Sequence, residues 1–595
     1  MDIHPQNTYK NLNPFLCLYF MAQDIKTLAQ LLIRSLKLYG NNFIFGTTGA
    51  GMAELQDAIS VEKDLKWIQA LHEFTAVSSA EGYALAKNKT GIALIDRIVG
   101  TQNSIGALYS SYLNMAPMLV LSSRDIAGTH LLKDPTSHYS SKHLQIIEPW
   151  VKWSNNSQSE KMLDEDLSKA IFISQIEPKG ISFITLRHDL MQRAYNGSKI
   201  KIKKFYYSKK IPDEDTINII IGKILSSNHP EMLISHAGRN PEYVDTMIKF
   251  SEMLGIKVRE RRYFMSFPLE NSMHLGFSAR MKPPDTRNDD LLLLLEFGIL
   301  PGNAFRDDID IIDFSTDFVR RRDIYSGGDY GSSNLFNSMD VISDLGPTLK
   351  FIMKKIKLES KDREIIGDRK EKIMEKHEKM IQEIDGETES DMKSGRLTAA
   401  SIGYTINKYW KPGMSFVNGS ITSNTRINQR VRLNEPGSYF SNPSGHLGSP
   451  VGMAYGIFLA KNEENYLKGI RDYKPTVCVT GDGDSIFGNL TSVLWSVKHY
   501  HLGVIYIILN NGSWAVEWPY FENTSQRYVA NMHDREFIDL DEPRINFATI
   551  ASGFNVKSYS VETIDELDKS MNLAVIDAEK GEPSLIDIKL EKYNP

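Results

Sequence analysis

Residues 475–513 read PTVCVTGDGDSIFGNLTSVLWSVKHYHLGVIYIILNNGS. An apolar, β-rich run at 476–480 meets Gly481-Asp482-Gly483-Asp484. A segment of helical period follows, and a second apolar run at 504–509 ends in Asn510-Asn511-Gly512-Ser513. This order predicts a βαβ unit with two parallel strands. Strand ends on the same side of a parallel sheet lie close together, so an acid from one end and an amide from the other converge. Carboxylate, amide and carbonyl oxygens are what a hard divalent cation such as Mg²⁺ takes, commonly sharing it with a ligand's phosphates. Gly481 and Gly483 allow close backbone approach, and the helix start at Asp484-Ser485 offers free N–H groups to a diphosphate.

The rest of the composition bounds the answer. At 595 residues the chain has room for several domains. With 41% hydrophobic and 24% charged residues it is globular. A net charge of −5 argues against a nucleic-acid partner. Cys17 and Cys478 lie far apart, which supports neither a disulfide framework nor a zinc site and suits a reducing cytoplasm. No apolar run approaches the roughly 20 residues that span a bilayer, and the run at 291–295 stops at Glu296. The first residues have an apolar patch at 15–21 without a basic start, so they read as an extension rather than a secretion signal. A cytoplasmic protein without membrane attachment is expected.

Apolar runs alternate with helical periods in three blocks, which predicts α/β domains with open parallel sheets. The boundaries are an N-terminal extension at 1–22 and domains at 23–193, 194–357 and 395–595. A segment dense in Lys and Glu at 358–394 reads as a solvated helix and linker. No Gly-x-Gly-x-x-Gly opens a helix in the middle block, so it carries no dinucleotide fingerprint.

A Gly-Asp-Gly and a later Asn-Asn at the two ends of a βαβ unit resemble the signature of thiamine diphosphate (ThDP) enzymes. The resemblance runs from about residue 25 to 595 and is to the acetolactate synthase and benzoylformate decarboxylase branch. It implies three domains that bind the pyrimidine (23–193), lie centrally (194–357) and bind the diphosphate and Mg²⁺ (395–595). Asp482 follows the strand where the family's metal-binding Asp sits, but Asn511 is 29 positions beyond it. Asp484, 27 positions before Asn511, restores the usual interval and aligns Leu494, Trp495 and Tyr500 with benzoylformate decarboxylase-like sequences. The strand-end position favours Asp482, with Asp484 as the alternative. Asn511 and the Ser513 carbonyl would complete the metal set, and Gly481, Gly483, Asp484 and Ser485 would hold the diphosphate.

ThDP chemistry also needs a carboxyl group hydrogen-bonded to the pyrimidine and a bulky apolar prop beneath the bent cofactor. Residues 67–73, WIQALHE, lead into a helix containing Ala-Glu-Gly-Tyr-Ala at 80–84. By resemblance Glu73 is the activating glutamate; read alone, it is equally a helix-capping acid. The turn Asn442-Pro-Ser-Gly445-His446-Leu447-Gly448 resembles the family's pyrimidine turn, with Leu447 as prop and the Gly445 carbonyl as acceptor. Asn103, in a Gly-x-x-Asn helix start, and Gly419 and Ser420, in a diphosphate-contacting position, extend the match. In that branch glutamate and metal site come from different subunits, implying a homodimer or tetramer.

Substrate identity does not transfer. Ala50 stands where benzoylformate decarboxylase-like sequences carry Ser, and Asp96 where they carry His. Polar candidates for the cleft are Asp96, Arg97, Arg124, His130, His138, His143 and Gln145. Trp514, Trp518 and Tyr520 read as an aromatic lid or as packing. His446 reads equally as a helix cap. The expected activity is ThDP- and Mg²⁺-dependent conversion of a 2-oxo acid by decarboxylation, with or without carboligation. Alternatives are an acetolactate synthase catalytic subunit (with an FAD that nothing in the middle block establishes), a non-catalytic scaffold, and a ferredoxin-coupled 2-oxo acid oxidoreductase, which lacks its clustered cysteines here.

Overall fold

The computed structural model describes residues 18–21, 24–124, 142–197, 199–203, 205–278, 285–297, 308–317 and 338–592. Most of the N-terminal extension, together with His130 and His138, lies outside the described residues. The chain divides into two compact units, 1–84 with 89–208 and 85–88 with 209–595.

The first unit holds β1 (Leu18–Met21), β2 (Phe43–Gly46), β3 (Lys66–Gln69), β4 (Gly91–Ile95), β5 (Met118–Arg124), β6 (Trp153–Ser157), β7 (Ile181–Arg187) and β8 (Lys199–Ile202). Six of them form a wholly parallel sheet in the order β3-β2-β4-β5-β7-β6, while β1 and β8 pair antiparallel. Phe-Ile-Phe-Gly in β2 and Gly-Ile-Ala-Leu-Ile in β4 are buried throughout, as interior strands of a parallel sheet must be. Helix α1 (Glu73–Lys87) precedes β4 and α2 (Arg97–Leu113) follows it. The helix start read at Gly100-x-x-Asn103 thus falls within α2, which begins earlier, directly after Asp96 at the end of β4.

The second unit contains two further six-stranded parallel sheets. One is built from β9 (Pro230–Ile234), β10 (Lys257–Glu260), β11 (His274–Phe277), β12 (Leu291–Leu295), β13 (Asp310–Ser315) and β14 (Ser338–Ile342), in the order β11-β10-β9-β12-β13-β14. The other comprises β15 (Ser415–Asn418), β16 (Tyr439–Ser441), β17 (Thr476–Gly481), β18 (Val504–Asn510), β19 (Lys557–Val561) and β20 (Ser584–Lys589), in the order β16-β15-β17-β18-β20-β19. The charged stretch before them forms one helix, α3 (Ser360–Ser394). Helix α4 (Ser449–Lys461) is buried on every side except at Lys461 and packs on β15, β17 and β18, as an all-round apolar helix should. The protein is therefore an α/β chain of three open parallel sheets.

Each sheet changes its winding direction between two adjacent strands, β2 and β4, β9 and β12, or β15 and β17, and the first and third sheets turn back again at their far edge, where β7 lies inside β6 and β20 inside β19. Such switch points leave a crevice outside the carboxyl ends of the strands. At the middle one, Glu296 beyond β12 accepts from Arg239 and Thr316, and both ion-pair partners are buried. The other two are where the candidate site residues lie.

Candidate functional site

In the second unit the crevice between β15 and β17 opens into a cavity of about 200 Å³. Its lining includes Gly419, Ser420, Gly445, Leu447, Gly481, Asp482, Gly483, Asp484, Asn511, Ser513 and Trp514. Residues separated by almost 100 positions thus meet because three strand ends and one glycine turn share a face. Among the described residues that line it are three acids, Asp482, Asp484 and Glu517, and no lysine, arginine or histidine.

The two aspartates have different surroundings. Helix α5 (Asp482–Phe487) begins at Asp482 as β17 ends. Asp482 Oδ1 accepts from the Gly483 N–H at 2.7 Å and Oδ2 from the Gly512 N–H at 2.7 Å. Asn511 Oδ1 accepts from the Ser513 N–H at 3.1 Å, so both side chains face the turn that follows β18. Burial pushes the Asp482 carboxyl up; the N–H groups of Gly483, Gly512 and Ser513 and the Arg544 charge oppose it. Asp484 instead acts as a clasp. Its Oδ1 accepts from the Gly448 N–H at 2.7 Å and its Oδ2 from the Thr480 hydroxyl. Gly448 has φ +97°, and a Cβ there would lie 2.4 Å from the Gly488 nitrogen, so only glycine brings the 445–448 turn against α5.

The neighbouring positions are fixed in turn. Asn510 is turned away from the cavity, donating to Ile545 O at 2.9 Å and Asp587 Oδ1 at 3.0 Å. Ser485 donates to the Gly481 carbonyl at 2.7 Å and is not among the lining residues. His446 Nδ1 lies 2.8 Å from the Leu447 carbonyl. Gly483 is pressed under the Trp514 ring, which meets Phe487 edge-on with centroids 5.7 Å apart. Trp518 is buried and donates to Glu522 at 3.0 Å, whereas Tyr520 is exposed, so of the three aromatics Trp514 alone lines the cavity. Sequence reasoning missed a chain of buried amides that sets the 418–424 loop. Asn418 accepts from the Ser420 N–H and hydroxyl and donates to Asn428, which donates to Asn424. The spacing of four between Asn424 and Asn428 was the signal available.

In the first unit Glu73 opens α1. Its Oε1 accepts from the Thr47 hydroxyl at 3.0 Å and its Oε2 from Asn103 Nδ2 at 3.1 Å. A Cβ on Gly100 would come within 3.0 Å of the Glu73 side chain, which explains a glycine in the first turns of α2. Asp96 Oδ1 accepts from the Ser123 hydroxyl at 2.7 Å, and Gly49 and Gly51 abut the Asp96 carboxyl. Arg97 follows at φ +41°, its N–H held by Ser123 Oγ at 3.1 Å. His143 is buried rather than solvated, its Nε2 2.7 Å from Thr101 Oγ1. Burial, then the Arg124 charge, pushes it down to about 4, so the ring is neutral. Gln145 is exposed.

Comparison with known proteins gives two family matches. Residues 26–142 match the N-terminal TPP binding domain of thiamine pyrophosphate enzymes, and residues 420–588 match the C-terminal TPP binding domain. The chain is 21% identical over 588 residues to a benzoylformate decarboxylase of Pseudomonas aeruginosa, covering 96% of this chain and 100% of the relative. It is 23% identical over 610 residues to the acetolactate synthase large subunit of Buchnera aphidicola subsp. Schizaphis graminum, covering 96% and 95%. Among solved structures, a ThDP-dependent 4-hydroxybenzoylformate decarboxylase of Rhodococcus jostii RHA1 superposes with a TM-score of 0.75 at 18% identity, covering 96% of this chain and 100% of the other. A benzoylformate decarboxylase of Polynucleobacter necessarius gives 0.77 at 17% identity, with the same coverage.

Proposed function

Since the chain belongs to the thiamine pyrophosphate enzymes, we propose that it is a ThDP- and Mg²⁺-dependent enzyme that decarboxylates a 2-oxo acid. The observation that carries this is the convergence of Asp482 and Asn511 on the 511–513 turn beside a glycine-lined cavity. One carboxylate, one amide oxygen and the Ser513 carbonyl form an oxygen-only set, which suits Mg²⁺ shared with a diphosphate. Both carboxylates accept hydrogen bonds, but Asp482 shares the 511–513 turn with Asn511 whereas Asp484 holds Gly448 and Thr480, which supports Asp482 as the metal ligand. Gly419, Ser420, Gly481 and Gly483 would cradle the diphosphate; Leu447 would prop the cofactor and the Gly445 carbonyl would accept from its amino group.

When bound, ThDP supplies an electron sink for cleavage next to a carbonyl. The chain's own contribution is positional. Glu73, held by Thr47 and Asn103, would hydrogen-bond the pyrimidine ring and manage its proton. Asp96, with Ser123 behind it, lies at the strand end where the substrate would be read. Domain limits near 23–193, 194–357 and 395–595 follow from the same reading.

We expect a panel of 2-oxo acids, aromatic members included, to give CO₂ release that requires both ThDP and Mg²⁺. Glu73→Gln should lower kcat by about 10²-fold or more with little change in melting temperature, the size usual for a lost general acid–base. Absence of ThDP binding, read from tryptophan fluorescence at saturating Mg²⁺, would refute the reading. An acetolactate-type product from pyruvate would move the protein to the carboligating branch.

A further inference from the structure

Two turns beyond Glu73, α1 carries a second carboxyl group, Glu81, which is fully buried. Its Oε1 accepts from Asn114 Nδ2 at 2.6 Å and from the Ser110 hydroxyl at 3.3 Å, both at the far end of α2. Its Oε2 is buried without a partner, and so is Asn114 Oδ1 on the same amide. An ionised carboxylate has only acceptors, so it leaves both oxygens bare; a proton on Oε2 makes it a donor where an acceptor is in want of one. Burial pushes this carboxyl up to about 7, opposed by the Asn114, Ser111 and Ser110 side chains; the Ser111 hydroxyl is itself donated to the Ala107 carbonyl at 2.8 Å. Asn114, which caps α2, and Ser110 and Ser111 in its last turn are the side chains that act on it, and among the described residues no charged side chain contributes.

The same two helices hold Glu73, since Asn103 and Gly100 of α2 touch it. The α1–α2 contact is therefore pinned twice by a carboxyl of α1 against an amide of α2, Glu73 with Asn103 and Glu81 with Asn114. We propose that Glu81 is a positioning residue for Glu73: in its protonated form its carboxyl group locks α1 against α2 and so sets where Glu73 stands, and ionisation releases that lock. This deepens the reading of Glu73 as the pyrimidine-activating glutamate and rests on it.

The sign of the pH effect follows from linkage. A folded-state value raised above the ordinary 4.5 of a glutamate gives stability that is fully present below 4.5 and lost as pH rises to about 7. The test uses the full chain with Glu81→Gln and Glu81→Ala, melted between pH 4.5 and 8.5, with ThDP titrated by tryptophan fluorescence and turnover measured over the same range. The melting temperature of the parent minus that of E81Q should fall across this window and level off above pH 7. Parent turnover and ThDP affinity should decline with a midpoint near 7, and E81Q should lack that limb. Gln, which places an N–H where the proton stood, should restore most of the roughly tenfold loss expected from Ala, the size of one buried hydrogen bond. A difference in melting temperature that does not change with pH overturns the proposal. So does an E81Q pH profile that superposes on the parent's. If no variant turns over any 2-oxo acid, the functional reading fails separately, while the melting and ThDP arms still decide on Glu81.

Discussion

Asp482 and Asp484 stand two residues apart, yet their hydrogen bonds assign them different tasks. Asp482→Asn should raise the Mg²⁺ concentration needed for half-maximal ThDP binding by about 10- to 100-fold, the size usual for a disturbed metal shell. Asp484→Asn keeps an oxygen for the Gly448 N–H, so the same titration should move much less. Asp484→Ala leaves Gly448 and Thr480 without their acceptor and should cost about 1–3 kcal/mol in thermal or urea unfolding. Gly483→Ala drives a Cβ into the Trp514 ring, which should shift the tryptophan emission even without cofactor. Spacing and strand context predict that Asp482 and Asn511 lie at neighbouring strand ends, and β17 and β18 put them there; the role of Glu73 rests on the resemblance instead. The clasp from Asp484 to Gly448 was not legible, because it joins residues that become neighbours only once β17 and the 445–448 turn lie side by side.

Strands and helices were the readable level. Runs such as Leu291–Leu295 are apolar at every position because an interior strand of a covered parallel sheet has no wet face. The charge-rich segment is harder to read, since its composition hides a narrow seam. In α3, Ile366, Ile373, His377, Ile384 and Thr388 are the buried residues, alternating intervals of seven and four along one stripe. His377 Nδ1 meets the His274 carbonyl at 2.7 Å, and Arg430 reaches Thr388 at 3.0 Å and Glu387 at 2.8 Å. Arg430→Ala should therefore lower stability by about 2 kcal/mol, as for a buried, charge-assisted contact. Lys393→Ala, on the solvated face, should change it by less than about 0.5 kcal/mol. Paired melting curves would separate the two. A one-dimensional pattern gives the stripe but not the carbonyl that it meets.

For the whole molecule, apolar side chains are exposed near both groups of candidate residues: Ile421, Ile486 and Phe487 beside the cavity, Leu71 and Val99 beside Glu73. The proposed assembly of two or more copies would cover these side chains. Sedimentation at micromolar concentration should find a dimer or larger, and Phe487→Asp should shift it toward monomer and weaken ThDP binding together. Among the described residues no helix is long and apolar enough to cross a membrane. The cavity's unbalanced acids have a further consequence. Among the described residues that line it, the crevice holds Asp482, Asp484 and Glu517 and no basic side chain, with the Arg544 charge acting on Asp482 from beyond the lining, so it favours a diphosphate accompanied by a cation over a bare anion. On the proposed reading the divalent ion therefore accompanies the diphosphate into the crevice. ThDP titrations at sparing amounts of metal should accordingly show affinity that falls away as the divalent ion is withdrawn.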